Sequence, residues 1–157
     1  MTKPIYSFDT NAFIDWWVRY YPPTLLPTLK TNIETLVAEG RIKASRYVFT
    51  ELEQGGDELY KWAKSLKDDI FVEDDEKVQA LAKPLIAKYA FPDQPKRGLG
   101  GADPFVVAHA QCSNPAWIVV SGEKGNAHNP KIDFVCNQIG VACFNFRQFW
   151  QNEGWKF

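Results

Sequence analysis

Short, continuously apolar runs alternate along this chain with longer segments whose apolar residues recur every three or four positions. Ile5 to Phe8, apolar but for Ser7, reads as a buried strand, ended by the helix-start signal Asp9-Thr10-Asn11. The pattern predicts a helix from Ala12 to Tyr20, stopped by Pro22-Pro23. A second helix follows from about Leu25 to Glu39, with Leu25, Leu29, Ile33, Leu36 and Val37 on one face and Gly40 closing it. Arg41 to Ala44 is a second strand, and Ser45 caps a helix from Arg46 to Gln54. A short helix over Asp57 to Leu66 and a strand at Ile70-Phe71-Val72 come next. Asp74 or Asp75 then caps a helix to about Tyr89.

Beyond the loop from Pro92 to Gly101, Asp103-Pro104 opens a helix to about Cys112, aspartate at the N-cap and proline at the first position both favouring a start. Trp117 to Val120 is the fourth strand, Ile132 to Gln138 a short helix, Val141 to Cys143 the fifth strand, and Arg147 to Gln151 a terminal helix. Short apolar strands alternating with helices point to an α/β fold: a three-layer α/β/α arrangement around a short, mainly parallel sheet. At 157 residues, with no internal repeat and no linker, the chain is expected to form a single domain spanning 1–157.

That topology gives the acidic residues their interest. Side chains at the carboxyl ends of parallel strands converge on one crevice. Four carboxylates sit where a strand or loop meets a helix: Asp9, Glu51, Asp103 and Glu123. Gathered together they repel, and a divalent cation would cancel the repulsion. Capping alone accounts for an aspartate at a helix start, which applies to Asp103 more than to Asp9. Glu51 and Glu123 each also read as ordinary solvated residues. A denser acidic run, Asp68-Asp69 and Glu73 to Glu76, is expected to be solvated and to complement a helix dipole.

Composition changes little. Eighteen basic and nineteen acidic residues leave a net charge of −1, so a polyanionic partner would need a local basic patch or a metal. Three cysteines without a Cys-x-x-Cys pair read as buried free thiols in a reducing compartment. No signal-like or membrane-spanning run is visible, which gives a soluble, cytoplasmic expectation. There is no phosphate-binding glycine loop and no nucleophile elbow. His109 reads as a packed helix residue. Of Trp16 and Trp17, about 100° apart on a helix, at most one can be fully buried.

Tyr6-Ser-Phe-Asp-Thr-Asn-Ala12, Thr50-Glu-Leu52, Ala102-Asp-Pro-Phe-Val-Val-Ala108 and Val119-Val-Ser-Gly-Glu123, in this order, resemble the PIN-domain family of metal-dependent ribonucleases. The resemblance implies that Asp9, Glu51, Asp103 and Glu123 bind one or two Mg²⁺ or Mn²⁺ ions and carry catalysis, with Thr10, Asn11 and Ser121 as supporting polar groups. It implies an RNA substrate, gripped by Lys96, Arg97, Lys124 and Lys131, and leaves room for an antitoxin protein or a second copy of the chain as partner. Two departures stand out: the last acidic position more often carries Asp than Glu, and the first helix with its tryptophans and the 92–101 loop resemble a less characterised branch. The alternative is a non-catalytic member of the fold that binds nucleic acid or protein through the same crevice. An aspartyl-phosphate phosphotransferase is disfavoured, because the second Asp such enzymes carry is here Asn11.

Overall fold

The computed structural model describes residues 2–157. Five strands form one sheet in the order β3-β2-β1-β4-β5, all neighbours parallel. They are β1 (Tyr6–Phe8), β2 (Ile42–Ser45), β3 (Phe71–Val72), β4 (Ile118–Val120) and β5 (Cys143–Phe144). The α/β expectation with a parallel central sheet therefore holds. Tyr6 is in register with Ile42 on one side and Ile118 on the other, so β1 is the central strand. Strand order reverses between β1 and β4, the position at which open parallel sheets bind their ligands.

The pleat of β1 explains the layers. Tyr6 and Phe8 point to one face and meet Phe149 edge-on, with ring centroids 4.7 and 5.1 Å away. Ser7 points to the other face, where its Oγ donates to the Val106 carbonyl at 2.9 Å, within helix α7 (Asp103–Cys112). The first face carries α1 (Thr10–Ile14) and the terminal helix α9 (Phe146–Asn152), whose Phe146 and Phe149 are buried. The C-terminal end is tied to β1 by polar contacts as well. Glu153 accepts from the Tyr6 hydroxyl and pairs with buried Arg41 at 2.5 Å.

Several boundaries differ from the sequence expectation, each for a local reason. The first helix is not one continuous α-helix over Ala12 to Tyr20: α1 gives way to a π-helical turn, Asp15–Tyr20. That turn lets Trp16 enter the core completely while Trp17 packs over it, the rings 5.2 Å apart. The second helix, α2 (Pro27–Ala38), starts later than expected because Pro27 takes its first position. After α3 (Arg46–Gly55) and α4 (Glu58–Ser65), Ile70 closes a short helix α5 (Lys67–Ile70) and is not the first strand residue. Asp75 caps α6 (Glu76–Tyr89).

Asp74, expected to be part of a solvated run, is instead engaged with the core. It accepts from Ser45 Oγ at 2.8 Å and lies 2.7 Å from His109 Nε2, tying the end of β2 to α7. His109 is buried, as its helical setting suggested. The fifth strand starts two residues later than predicted and ends one later, after α8 (Ile132–Ile139) and the left-handed Gly140. Of the three thiols only Cys136 is buried; Cys112 is exposed and Cys143 half-buried. Among the described residues no helix is long and apolar enough to cross a membrane.

Candidate metal centre

The carboxyl edge of the sheet gathers three of the four predicted carboxylates. Ligand oxygens of Asp9, Asp103 and Glu123 all lie within 4.8 Å of one another. Asp9 follows β1 and its backbone N–H donates to the Val120 carbonyl of β4 at 3.2 Å, which fixes it at the reversal point of the sheet. Its side chain does two things. Oδ1 caps α1, accepting from the Ala12 N–H at 2.6 Å. Oδ2 is buried and, among the described residues, has no hydrogen-bond partner. The capping account of Asp9 is therefore correct for one oxygen and silent on the other.

Asp103 differs from its sequence expectation. Ala102, not Asp103, occupies the N-cap position of α7, and Asp103 is the first helical residue. With proline at the next position there is no N–H there to bond. The carboxylate folds back, and Oδ2 accepts from the Gly100 N–H at 3.1 Å. Glu123 is oriented by Asn11, whose Nδ2 donates to Oε1 at 2.6 Å, and its own N–H donates to Ser121 Oγ at 3.2 Å. Asn11 and Ser121 thus stand beside the cluster.

Glu51 is not one of the three clustered carboxylates but forms a wall of the same cavity. Thr10 Oγ1 donates to its Oε1, and the Ala102 N–H donates to Oε2 at 3.2 Å. Gly101 makes this possible: at φ +53° it is left-handed, and a Cβ there would run into the Glu51 carboxylate. Neither Gly101 nor Gln54, which also lines the cavity, was singled out from sequence. The Gly98 to Gly101 stretch was the available signal, since a glycine-rich loop beside a helix start allows close backbone approach.

The cavity holds about 390 Å³ and is lined by Thr10, Asn11, Glu51, Asp103, Glu123 and Lys131, among others. Lys131 Nζ donates to the Lys96 and Gly98 carbonyls at 2.8 and 3.3 Å, bracing the 92–101 loop at the rim. Arg97 braces the same loop from the other side: its Nε donates to the His128 carbonyl at 2.6 Å and its guanidinium lies 3.9 Å from the Phe91 ring centre. The Lys96 and Lys124 residues are exposed.

The electrostatics follow from crowding. Burial drives the Asp9 carboxyl well above the usual range; Asp103 and Glu123 push it further, against the Ser121 hydroxyl and the Ala12 N–H. Asp103 is pushed up to about 7, first by burial and then by Glu123. Three acidic side chains held together at such a cost, one with a buried oxygen lacking any partner, fit a divalent cation. All the donors are hard oxygens, and soft ligands are absent from the cluster.

The family model for a domain of unknown function (DUF4411) matches residues 6–157. The chain belongs to that family. No curated protein matches it in sequence. The DUF4411 fold is nevertheless shared with solved structures. FitAcB from Neisseria gonorrhoeae is similar over 91% of this chain and 99% of its own, at 17% identity and a TM-score of 0.58. VapBC2 from Rickettsia felis, solved bound to a DNA fragment from its promoter, is similar over 90% and 98%, at 18% identity and a TM-score of 0.55. FitAB bound to an IR36 DNA fragment matches over 90% and 94%, at 16% identity and a TM-score of 0.53. At these identities the likeness is one of fold, and it agrees with the PIN-like architecture expected of this DUF4411 chain.

Proposed function

We propose that this chain is a Mg²⁺- or Mn²⁺-dependent ribonuclease, acting as a single nuclease domain in the cytoplasm. The observation that carries the reading is the convergence of Asp9, Asp103 and Glu123 at the reversal point of a parallel sheet, with one Asp9 oxygen buried and without a hydrogen-bond partner among the described residues. Oxygen-only donors favour magnesium or manganese over softer metals. When bound, such an ion supplies Lewis-acid stabilisation of phosphate charge and an acidified water.

Asp9 and Asp103 are direct ligands in this reading, and Glu123 binds directly or through water. Glu51, held by Thr10 and the Ala102 N–H, completes the site or orients the attacking water. Hydrolysis adds the water oxygen to phosphorus and breaks the P–O3′ bond, the 3′ oxygen leaving with a proton. Lys131 at the cavity rim, with Lys96, Arg97 and Lys124, would meet backbone phosphates, which a net charge of −1 otherwise does little to attract.

The fold shared with the VapBC2 and FitAB proteins supports a further step: the chain acts as the toxin of a toxin–antitoxin pair, neutralised by a protein partner. A second copy of the chain is a further partner in this reading. The test is cleavage of a mixed-sequence RNA by wild type, Asp9→Asn and Asp103→Asn, with Mn²⁺ and with chelator. Cleavage is expected only in wild type with metal, each substitution lowering it at least a hundredfold. Undiminished cleavage by both variants would remove the assignment.

A further inference from the structure

The π-helical turn creates a second cavity on the same sheet edge, separate from the acidic one. It holds about 240 Å³ and is lined by Asp15, Tyr20 and Tyr21 from the turn, Gly122 after β4, and Asn145 and Arg147 near the start of α9. Its volume lies below the roughly 300–1,000 Å³ of sites for drug-sized ligands, and is suited to one planar ring. Asp15 is 7% exposed, so a charged group has been buried in its wall. Oδ1 pairs with Arg19 Nη1 at 3.0 Å. Oδ2 accepts no hydrogen bond among the described residues and faces Gly122, where a Cβ would collide with it. The absence of a side chain at Gly122 is what keeps that oxygen open to the cavity.

Gly122 is the residue before Glu123, so the two cavities are joined by a single peptide. A nucleotide whose phosphate lay by the acidic cluster would bring a neighbouring base to this second cavity. The chemistry of the wall decides which part of the nucleotide enters. A buried carboxylate repels phosphate, whereas an aromatic ring beside it welcomes a base by stacking. Tyr20 is 62% exposed with its ring 6.0 Å from that of Tyr21, leaving a free face. Arg147 of the cavity lining is exposed, as is Arg19, which pairs with Asp15, and these two would meet the flanking phosphates. Irregular helical turns of this kind are frequent at functional sites.

We infer that this cavity is a base-recognition subsite in which Asp15 reads guanine and Tyr20 stacks on it. An ionised carboxylate only accepts hydrogen bonds, and Oδ1 keeps a second lone pair beside its bond from Arg19, so both oxygens can serve a base that offers two donors. On its pairing edge guanine offers two adjacent donors, N1–H and the 2-amino group. Adenine and cytosine place a ring-nitrogen acceptor next to their amino group, and uracil flanks its single N–H with two carbonyls. Both arrangements repel one carboxylate oxygen. The inference rests on the ribonuclease reading for its role in cleavage, but not for the binding itself.

The test is equilibrium binding of the four ribonucleoside 5′-monophosphates, in chelator, to wild type, Asp15→Asn and Tyr20→Ala, with circular dichroism to verify folding. Wild type is expected to bind GMP about tenfold or more tightly than AMP, CMP or UMP. Asp15→Asn should bring all four within about threefold of one another, and the exposed Tyr20→Ala should weaken GMP about tenfold. If Asp15→Asn fails to fold, the wild-type comparison and Tyr20→Ala still decide. Equal affinity of wild type for the four nucleotides, or an undiminished GMP preference in a folded Asp15→Asn, would overturn the subsite. RNA left uncut by wild type with Mn²⁺ while the GMP preference persists would overturn the ribonuclease reading and leave the subsite standing.

Discussion

Replacing Asp103 by Asn should make the metal-free protein more stable at alkaline pH. In the folded chain the Asp103 carboxyl is pushed from its ordinary range near 3.8 up to about 7 by burial and by Glu123, with Glu51 adding to the repulsion and the Gly100 N–H opposing it. Folded protein therefore holds a proton that unfolded chain releases between about pH 4 and pH 7. Stability is highest below this window and falls as pH rises through it. A displacement of about three pH units corresponds to about 4 kcal/mol at full ionisation. Asn recovers only part of this, because its amide must still be desolvated, though its oxygen can keep the Gly100 N–H. A gain of about 1–3 kcal/mol is expected at pH 8, or about 3–10 °C in Tm for a chain of this length.

The assay is thermal or urea unfolding of both proteins in chelator at pH 5 and pH 8, repeated with Mn²⁺. The advantage of Asp103→Asn should shrink strongly at pH 5, where wild-type Asp103 is already neutral. Excess Mn²⁺ should reverse the order at pH 8, because a ligand at a thousand times its Kd stabilises wild type by about 4.1 kcal/mol. A substitution that destabilises the metal-free protein at pH 8, or stabilises it equally at both pH values, would refute the reasoning.

Other expectations concern the frame around the site. Glu153→Ala leaves Arg41 buried without its main partner and the Tyr6 hydroxyl without its acceptor, and should cost about 3–5 kcal/mol in urea unfolding. Asp74→Ala strips Ser45 and His109 of their shared acceptor and should cost about 1–3 kcal/mol; a neutral result would mean water replaces it. Gly98→Ala places a Cβ at φ +70° against the Tyr89 carbonyl and the Phe91 ring, costing about 1–2 kcal/mol from the backbone alone. It should also weaken Mn²⁺ binding, measured calorimetrically, because the displaced loop carries Gly100 and Gly101.

Strand and helix alternation was legible because each strand falls in a short, mainly apolar run punctuated by a polar or glycine signal. Convergence of acidic residues on one sheet edge followed from topology once the sheet was taken as parallel, but it named four, and Glu51 stands apart from the cluster of Asp9, Asp103 and Glu123. What stayed hidden depended on third dimensions that spacing does not encode. Asp103 looks like an N-cap in sequence, yet the chain turns one residue earlier and the carboxylate bends back to Gly100. Asp74 sits in a run of acids that reads as solvated, and only the fold brings Ser45 and His109 to it. The π-helical turn has no α-helical or strand period, so the inward position of Asp15 could not be read from hydrophobic spacing.

The central position of β1 has a consequence for how the chain comes into being. Its two neighbours are β2 and β4, so β1 waits for residues 118–120 before its second edge is covered. The same delay applies to the acidic cluster, whose members are drawn from positions 9, 103 and 123. Such long sequence separations slow folding, because closure of the large loop must precede the contacts that reward it. A nascent chain stalled before β4 would carry an open strand edge and an incomplete cluster. It would be prone to association and unable to assemble all three acidic groups until Glu123 had been made.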